Sequence, residues 1–169
     1  MLFDTRIAYK PFEYPEVMQF IDTINRTYWV HSEVNFDSDL QEFKTQLSKS
    51  EQECILRSLK AISQIEVAVK NYWGNLYKII PKPEFNGLGS TFSECEFRHS
   101  EAYSRLLDVL GITDFDEFIK TPIIKQRINY LGVINQSKIK GPLSFCKSIA
   151  IFALMVENAS LFSQFTTIL

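Results

Sequence analysis

The sequence predicts an all-α fold, a bundle of long helices, and three observations carry that expectation. Only 6 Gly and 6 Pro occur in 169 residues, and they fall between long segments rather than inside them. Ser48 followed by Glu51 forms a capping-box pattern at the head of the longest such segment. Apolar residues recur at alternating steps of three and four in each long segment, the period of a helix with one face inward.

The first helix is expected to start at Tyr14–Pro15, because proline suits the first helical turn. Val17, Phe20, Ile21 and Ile24 then form one apolar face. From Trp29 to Asp39 the period is lost, and the stretch reads as a connection whose Asp37 or Asp39 caps the next helix. The second long helix starts at Ser48 and runs to about Ile80, where Pro81 and Pro83 stop it. A third spans roughly Gly87 to Leu110 and is closed by Gly111, which tolerates the left-handed conformation of a helix end. A shorter helix opens at Thr121–Pro122, and a last one runs from near Pro142 to the end of the sequence. With no repeat, low-complexity tract or composition break, residues 1–169 read as one helical domain.

Composition narrows the function. Hydrophobic residues make up 46% and charged residues 22%, with 14 Phe, 7 Tyr and 2 Trp, which suits a packed core and excludes a disordered chain. A net charge of −2 gives no basic footprint, so no nucleic-acid partner is expected. The longest apolar run, Ser148 to Val156, lies between Lys147 and Glu157, so no membrane span is expected. Cys54, Cys95 and Cys146 form no CxxC pair, and with no export signal at the N-terminus the expected location is the cytoplasm.

Chemistry is expected where polar residues interrupt the apolar stripes. On the second helix Ile55, Leu59, Ile62, Val69 and Trp73 form a seam, and Glu66 falls on it. An unpaired buried carboxylate costs several kcal/mol, so Glu66 needs a cation, a proton or a partner such as a buried arginine. On the third helix Phe92, Glu96, His99, Tyr103, Leu106 and Leu110 share a face. Glu96 and His99 form an E-x-x-H pair whose side chains reach one point, the kind that bundle dimetal sites draw from a helix. The same spacing also fits a core histidine satisfied by its neighbour. Glu157 falls among Ile149, Phe152, Ala153, Val156 and Leu161, in a helix with almost no polar face. Three carboxylates and one imidazole directed at a shared interior suit iron or manganese better than structural zinc. His31, beside Ser32 and Glu33, reads as a surface histidine, Cys95 as a packing residue, and Glu94 and Glu101 as solvated.

The segment from Phe92 to Tyr103, with Glu96, His99 and then Tyr103, resembles the metal-binding helix of the small, radical-generating subunit of class I ribonucleotide reductase. Trp29 followed by Ser32-Glu33-Val34, Ser58-Leu-Lys, and Glu157 with Leu161 and Phe165 extend the resemblance over nearly the whole chain from about Tyr9. It implies a ferritin-like helical fold and a dinuclear iron site, with manganese or mixed manganese–iron as variants. It implies Glu66 as a terminal ligand, Glu96 as a bridging ligand, His99 as a terminal ligand and Glu157 as a ligand of the second metal. Tyr103 would carry the radical, Leu161 and Phe165 would wall it from quenching, and Trp29 would pass the electron hole to the large catalytic subunit. A homodimer is likewise implied.

Two departures accompany the resemblance. Most members have Asp where this chain has Glu66. The family takes two further ligands from a second E-x-x-H, and these 169 residues contain none. The expectation is an N-terminal portion or split half of a small subunit, completed by a C-terminal fragment. The competing readings are another ferritin-like dimetal oxidase or oxygenase, and a metal-free helical scaffold or regulatory fragment.

Overall fold

Two long antiparallel helices form the frame of the molecule. The computed structural model describes residues 1–136, 139 and 141–169, and no strand forms among them. In chain order the helices are α1 (Val17–Arg26), α2 (Asp37–Thr45), α3 (Lys49–Gly74), α4 (Leu76–Ile79), α5 (Pro83–Val109), α6 (Asp116–Lys120), α7 (Pro122–Gln136) and α8 (Gly141–Ala150). A π-helical segment, Ile151–Ser160, continues α8 directly into α9 (Leu161–Ile168).

The capping box forms as its residues dictate. Ser48 Oγ accepts from the Glu51 amide, and the Glu51 carboxylate accepts from the Ser48 amide at 2.8 Å. The helix it opens stops at Gly74, short of Ile80. Asn75 turns the chain, and α4 forms a separate single turn. The third helix starts four residues earlier than expected. Pro83 occupies its first turn, where a missing N–H is harmless, so this proline begins a helix rather than merely ending one. At its far end Gly111 (φ +79) lets Ile112 N–H reach Leu107 C=O at 2.9 Å, closing the helix as a Schellman turn. Neither Asp37 nor Asp39 caps α2; Asn35 Oδ1 does, accepting from the Asp37 amide at 2.8 Å.

The main core lies between α3 and the last helical run. Ile62, Ile65, Val69, Tyr72 and Trp73 of α3 meet Phe152, Val156 and Leu161, with Leu131 of α7 beside them. Each such side chain contributes about 1.5–3 kcal/mol when withdrawn from water. Tyr72 and Phe152 stack with ring centroids 3.8 Å apart, and Tyr72 Oη meets Ser148 Oγ at 3.2 Å. On α1, Val17 and Ile21 are buried, whereas Phe20 points outward, so that face is narrower than its spacing suggests.

The last run departs from expectation in two ways. Gly141–Ile168 forms one 28-residue helical run, long and apolar enough by length and composition to cross a membrane, whereas the short apolar run between Lys147 and Glu157 predicts no such span. One side of that run packs on α3 as a bundle helix does. Nor is it buried all round, because Leu143, Leu154, Met155 and Phe162 are exposed.

A second, smaller core gathers Leu76, Ile80 and Phe145, with Leu2 and Phe3 of the N-terminal arm packed on it. Four charges hold that arm. Glu84, 1% exposed, accepts from Arg6 and from the amides of Glu13 and Tyr14 at 3.1 and 3.2 Å. Lys82, 2% exposed, donates to both carboxylate oxygens of Glu13 at 2.8 and 2.9 Å. Nothing in the local spacing marks these residues as buried, since each partner lies about 70 residues away in sequence.

Candidate metal centre

The antiparallel pairing of α3 and α5 sets the site. Ser93 Oγ donates to Lys70 C=O at 3.1 Å, and Gly89 lies against Trp73, so the two helices touch along a fixed register. That register places Glu66 of α3 opposite the turn of α5 that carries Glu96 and His99. One ligand atom from each of Glu66, Glu96 and His99 lies within 4.8 Å of the others.

The electrostatics of this cluster call for a cation. Glu66 is 1% exposed, and its Oε2 is buried without a hydrogen-bond partner, which is costly for a carboxylate oxygen. Burial, reinforced by the neighbouring Glu96 carboxylate, pushes Glu66 up to about 9. At His99 burial disfavours the imidazolium, but contacts with Cys95 and Glu96 and the charge of Glu66 outweigh it and raise the group to about 10. Protons thus sit where a cation would neutralise the same charges. Two carboxylates, one of them with an orphaned oxygen, and one imidazole fit a hard or borderline divalent ion such as iron or manganese.

Contacts around the imidazole fix its orientation. Nδ1 lies 2.8 Å from Glu96 Oε2, and Nε2 lies 3.9 Å from Cys95 Sγ. Cys95 therefore touches the site residue instead of merely packing beside it. The Trp29 indole lies over the ring, centroids 5.9 Å apart and planes at 23°.

Glu157 stands outside the three-residue cluster. Its Oε1 accepts from Trp73 Nε1 at 2.9 Å, and burial followed by the charge of Glu96 pushes it up to about 7. It rides on the π-helical segment, whose wider turn changes where a side chain is aimed; Asn158 Nδ2 reaches back five residues to Ala153 C=O. Tyr103 is half-buried against the main core, and burial holds its phenol above the ordinary range, with Glu66 and Glu96 adding to the shift. Leu161 belongs to the same core, whereas Phe165 is exposed and forms no wall there.

Several residues around the site were not singled out by spacing. Arg98 is buried and pairs with Glu94 at 3.0 Å, so Glu94 is a partner rather than a free surface charge. His31 is half-buried, with Nδ1 shielded from water and its carbonyl accepting from Arg105. The heptad spacing of Arg98 and Arg105 on one face of α5 was the available signal.

A family model described as ribonucleotide reductase, small chain, matches residues 6–169. Over 97% of this chain, probable ribonucleoside-diphosphate reductase small subunits of Invertebrate iridescent virus 3 and Invertebrate iridescent virus 6 are 25% and 27% identical to it. The alignments cover 48% and 49% of those proteins, so the chain spans about half the length of the curated relatives it matches. The ribonucleotide reductase R2 subunit from Clostridium botulinum superposes with a TM-score of 0.76 over 91% of this chain and 51% of that one, at 19% identity. A putative class I ribonucleotide reductase from Bacillus halodurans gives 0.70 over 90% and 62%, at 18% identity. These likenesses show the fold, the ferritin-like helical architecture that the resemblance implied. With the family model matching almost from end to end, the chain belongs to the small-chain family of ribonucleotide reductases.

Proposed function

We propose that this chain serves as part of a ribonucleotide reductase small subunit, holding iron or manganese between α3 and α5 and carrying at Tyr103 the radical that a large subunit uses to reduce ribonucleotides. The observation that supports it most directly is the convergence of Glu66, Glu96 and His99 around an orphaned buried carboxylate oxygen. When bound, the metals supply one-electron oxidising power drawn from dioxygen.

The chain's own residues have defined tasks in this reading. Glu66 and His99 would give up their protons so that a carboxylate oxygen and a ring nitrogen could hold the metal, with Glu96 as the bridging ligand that the resemblance implies. Glu157 keeps Oε1 on Trp73 and has Oε2 free to ligate. Tyr103 keeps its phenolic proton in its buried setting, so loss of an electron requires the Oη proton to pass to a base. Once Glu66 has given up its own proton, the Glu66 and Glu96 carboxylates, whose charges act on the phenol, would be the acceptors. Trp29, stacked on His99, is the outward step of the hole.

The second E-x-x-H of the family is absent from these 169 residues, so on this proposal a further segment supplies the remaining ligands. Metal analysis after anaerobic Fe(II) loading tests it. We expect at most one ion per chain alone and two when a family polypeptide bearing the second E-x-x-H is added. Dioxygen should then produce a tyrosyl radical signal that Tyr103→Phe abolishes. Metal content unchanged in Glu66→Ala and His99→Ala would overturn the reading.

A further inference from the structure

We propose that Arg98 and Arg105 are positioning residues that hold the irregular segment 28–36, and with it Trp29, against α5. The two arginines lie seven residues apart on α5, two helical turns, and therefore face the same way. Each does the same two things to the segment. Arg98 Nη1 donates to the Trp29 carbonyl at 3.2 Å, and its guanidinium lies 4.3 Å from the Tyr28 ring centroid and 5.7 Å from that of Trp29. Arg105 Nη1 donates to the His31 carbonyl, and its guanidinium lies 5.5 Å from the Phe36 ring centroid.

The segment needs such help because its backbone has little structure of its own. Only the short 3-10 turn at His31–Glu33 interrupts it, and none of its side chains is fully buried. The Trp29 carbonyl lies outside any helix or ladder and needs a donor. The His31 carbonyl, by contrast, accepts from Val34 N–H at 3.2 Å and takes Arg105 as a second donor. A planar guanidinium can donate in its plane while its face covers an aromatic ring. Arg98 is itself fixed. Its side chain is 6% exposed, and Nε donates to both Glu94 oxygens at 3.0 and 3.1 Å. The chain Glu94–Arg98–Trp29–His99 thus runs from the surface of α5 to the imidazole of the candidate centre. Lysine would keep the charge but has no planar group to donate in two fixed directions, to Glu94 and to the Trp29 carbonyl, while lying over the Tyr28 ring.

That Trp29 matters for hole transfer rests on the function proposed above; that the arginines hold it does not. The metal-free full chain labelled with 5-fluorotryptophan separates the two, since its two indoles, Trp29 and Trp73, give two fluorine resonances. Arg98→Met should move the Trp29 resonance to the solvent-exposed position and leave that of Trp73 in place. Arg105→Met should shift Trp29 in the same direction by a smaller amount. Arg98→Lys should fold and still leave Trp29 displaced from its native position. A Trp29 resonance unmoved in Arg98→Met, or native in Arg98→Lys, would overturn the proposal. So would loss of both native resonances together in Arg98→Lys, which would make Arg98 a general stability residue. If the positioning holds while Tyr103 yields no radical in the completed enzyme, the functional reading fails and this one stands.

Discussion

Gly89 and Trp73 touch backbone to backbone: a Cβ at position 89 would stand 2.6 Å from the Trp73 carbonyl oxygen and 3.1 Å from Leu76 Cβ. No side chain other than glycine's hydrogen fits there without moving a helix. The contact lies two turns before Glu96, so it sets how closely α5 approaches the helix carrying Glu66. Gly89→Ala should therefore cost about 1–3 kcal/mol in urea unfolding, despite alanine's better helix propensity. The same change should weaken Mn(II) binding, read from the free-ion electron paramagnetic resonance signal, because it pushes apart the helices that bear the ligands. Wild-type stability in Gly89→Ala would show that the helices yield freely at this point.

Trp73 also makes the hydrogen bond that holds Glu157 in place. Its indole packs edge-on against Tyr72, Phe92 and Phe152, so phenylalanine preserves most of the packing and deletes the N–H. Trp73→Phe should cost about 1 kcal/mol, the low end of the range for leaving an acceptor unpaired, because Glu157 is only half-buried. It should also raise the Glu157 pKa further, because the lost bond is the contact that lowers it. Carboxyl-resolved NMR titration of Glu157 gives the direct check; a downward shift would mean that the indole N–H does not stabilise the charged carboxylate.

How much of the fold and site was legible in the sequence depends on the range of the interactions. The Ser48–Glu51 cap, the Gly111 closure and the E-x-x-H pair are local patterns, and each formed where its spacing put it. Glu66 was legible because it interrupts an otherwise apolar seam. The buried Lys82 and Glu84 were not, because a charge beside Pro83 looks the same whether its partner is water or an arm 70 residues away. Phe20 misled for the opposite reason: apolar spacing shows which face a helix could bury, not how wide a neighbour covers it. Glu157, expected to converge with Glu66, Glu96 and His99, is half-buried and stands outside their cluster. The π-helical turn that carries it has no local signature, so its engagement with Trp73 could not be read in advance.

The N-terminal clasp gives a contrast between buried and exposed ion pairs on one chain. Glu84→Gln removes the fully buried carboxylate from Arg6, which keeps only Glu13 Oε1 at 3.4 Å from its Nε, and should cost about 3 kcal/mol. Glu53→Gln breaks the Arg57 pair, whose two side chains are mostly exposed, and should cost no more than about 0.5 kcal/mol. Limited trypsin digestion supplies an independent reading. Cleavage after Arg6, which Ile7 follows, should quicken in Glu84→Gln and stay unchanged in Glu53→Gln. Equal sensitivity in the two variants would mean that the arm is held by Leu2 and Phe3 rather than by charge.

Loading of the candidate centre should be coupled to pH in a direction fixed by three raised pKa values. Glu66 at about 9, His99 at about 10 and Glu157 at about 7 all hold protons in the folded metal-free chain at pH values where the unfolded chain has begun to release them. Their contribution to folding is full below the unfolded values of 4.5 for the acids and 6.5 for the histidine. It fades as pH rises through the folded ones, so the metal-free chain should lose thermal stability from neutral pH toward pH 10. A divalent ion replaces the protons on Glu66 and His99, so binding near pH 7 should release close to two protons. Apparent affinity should then rise about tenfold per released proton for each pH unit. Calorimetric Mn(II) titration in buffers of different ionisation enthalpy measures that release directly, and the bound ion should remove the alkaline loss of stability. Proton release near zero, or a metal-free chain that grows more stable between pH 7 and 10, would mean that Glu66 and His99 are not the groups the ion displaces protons from.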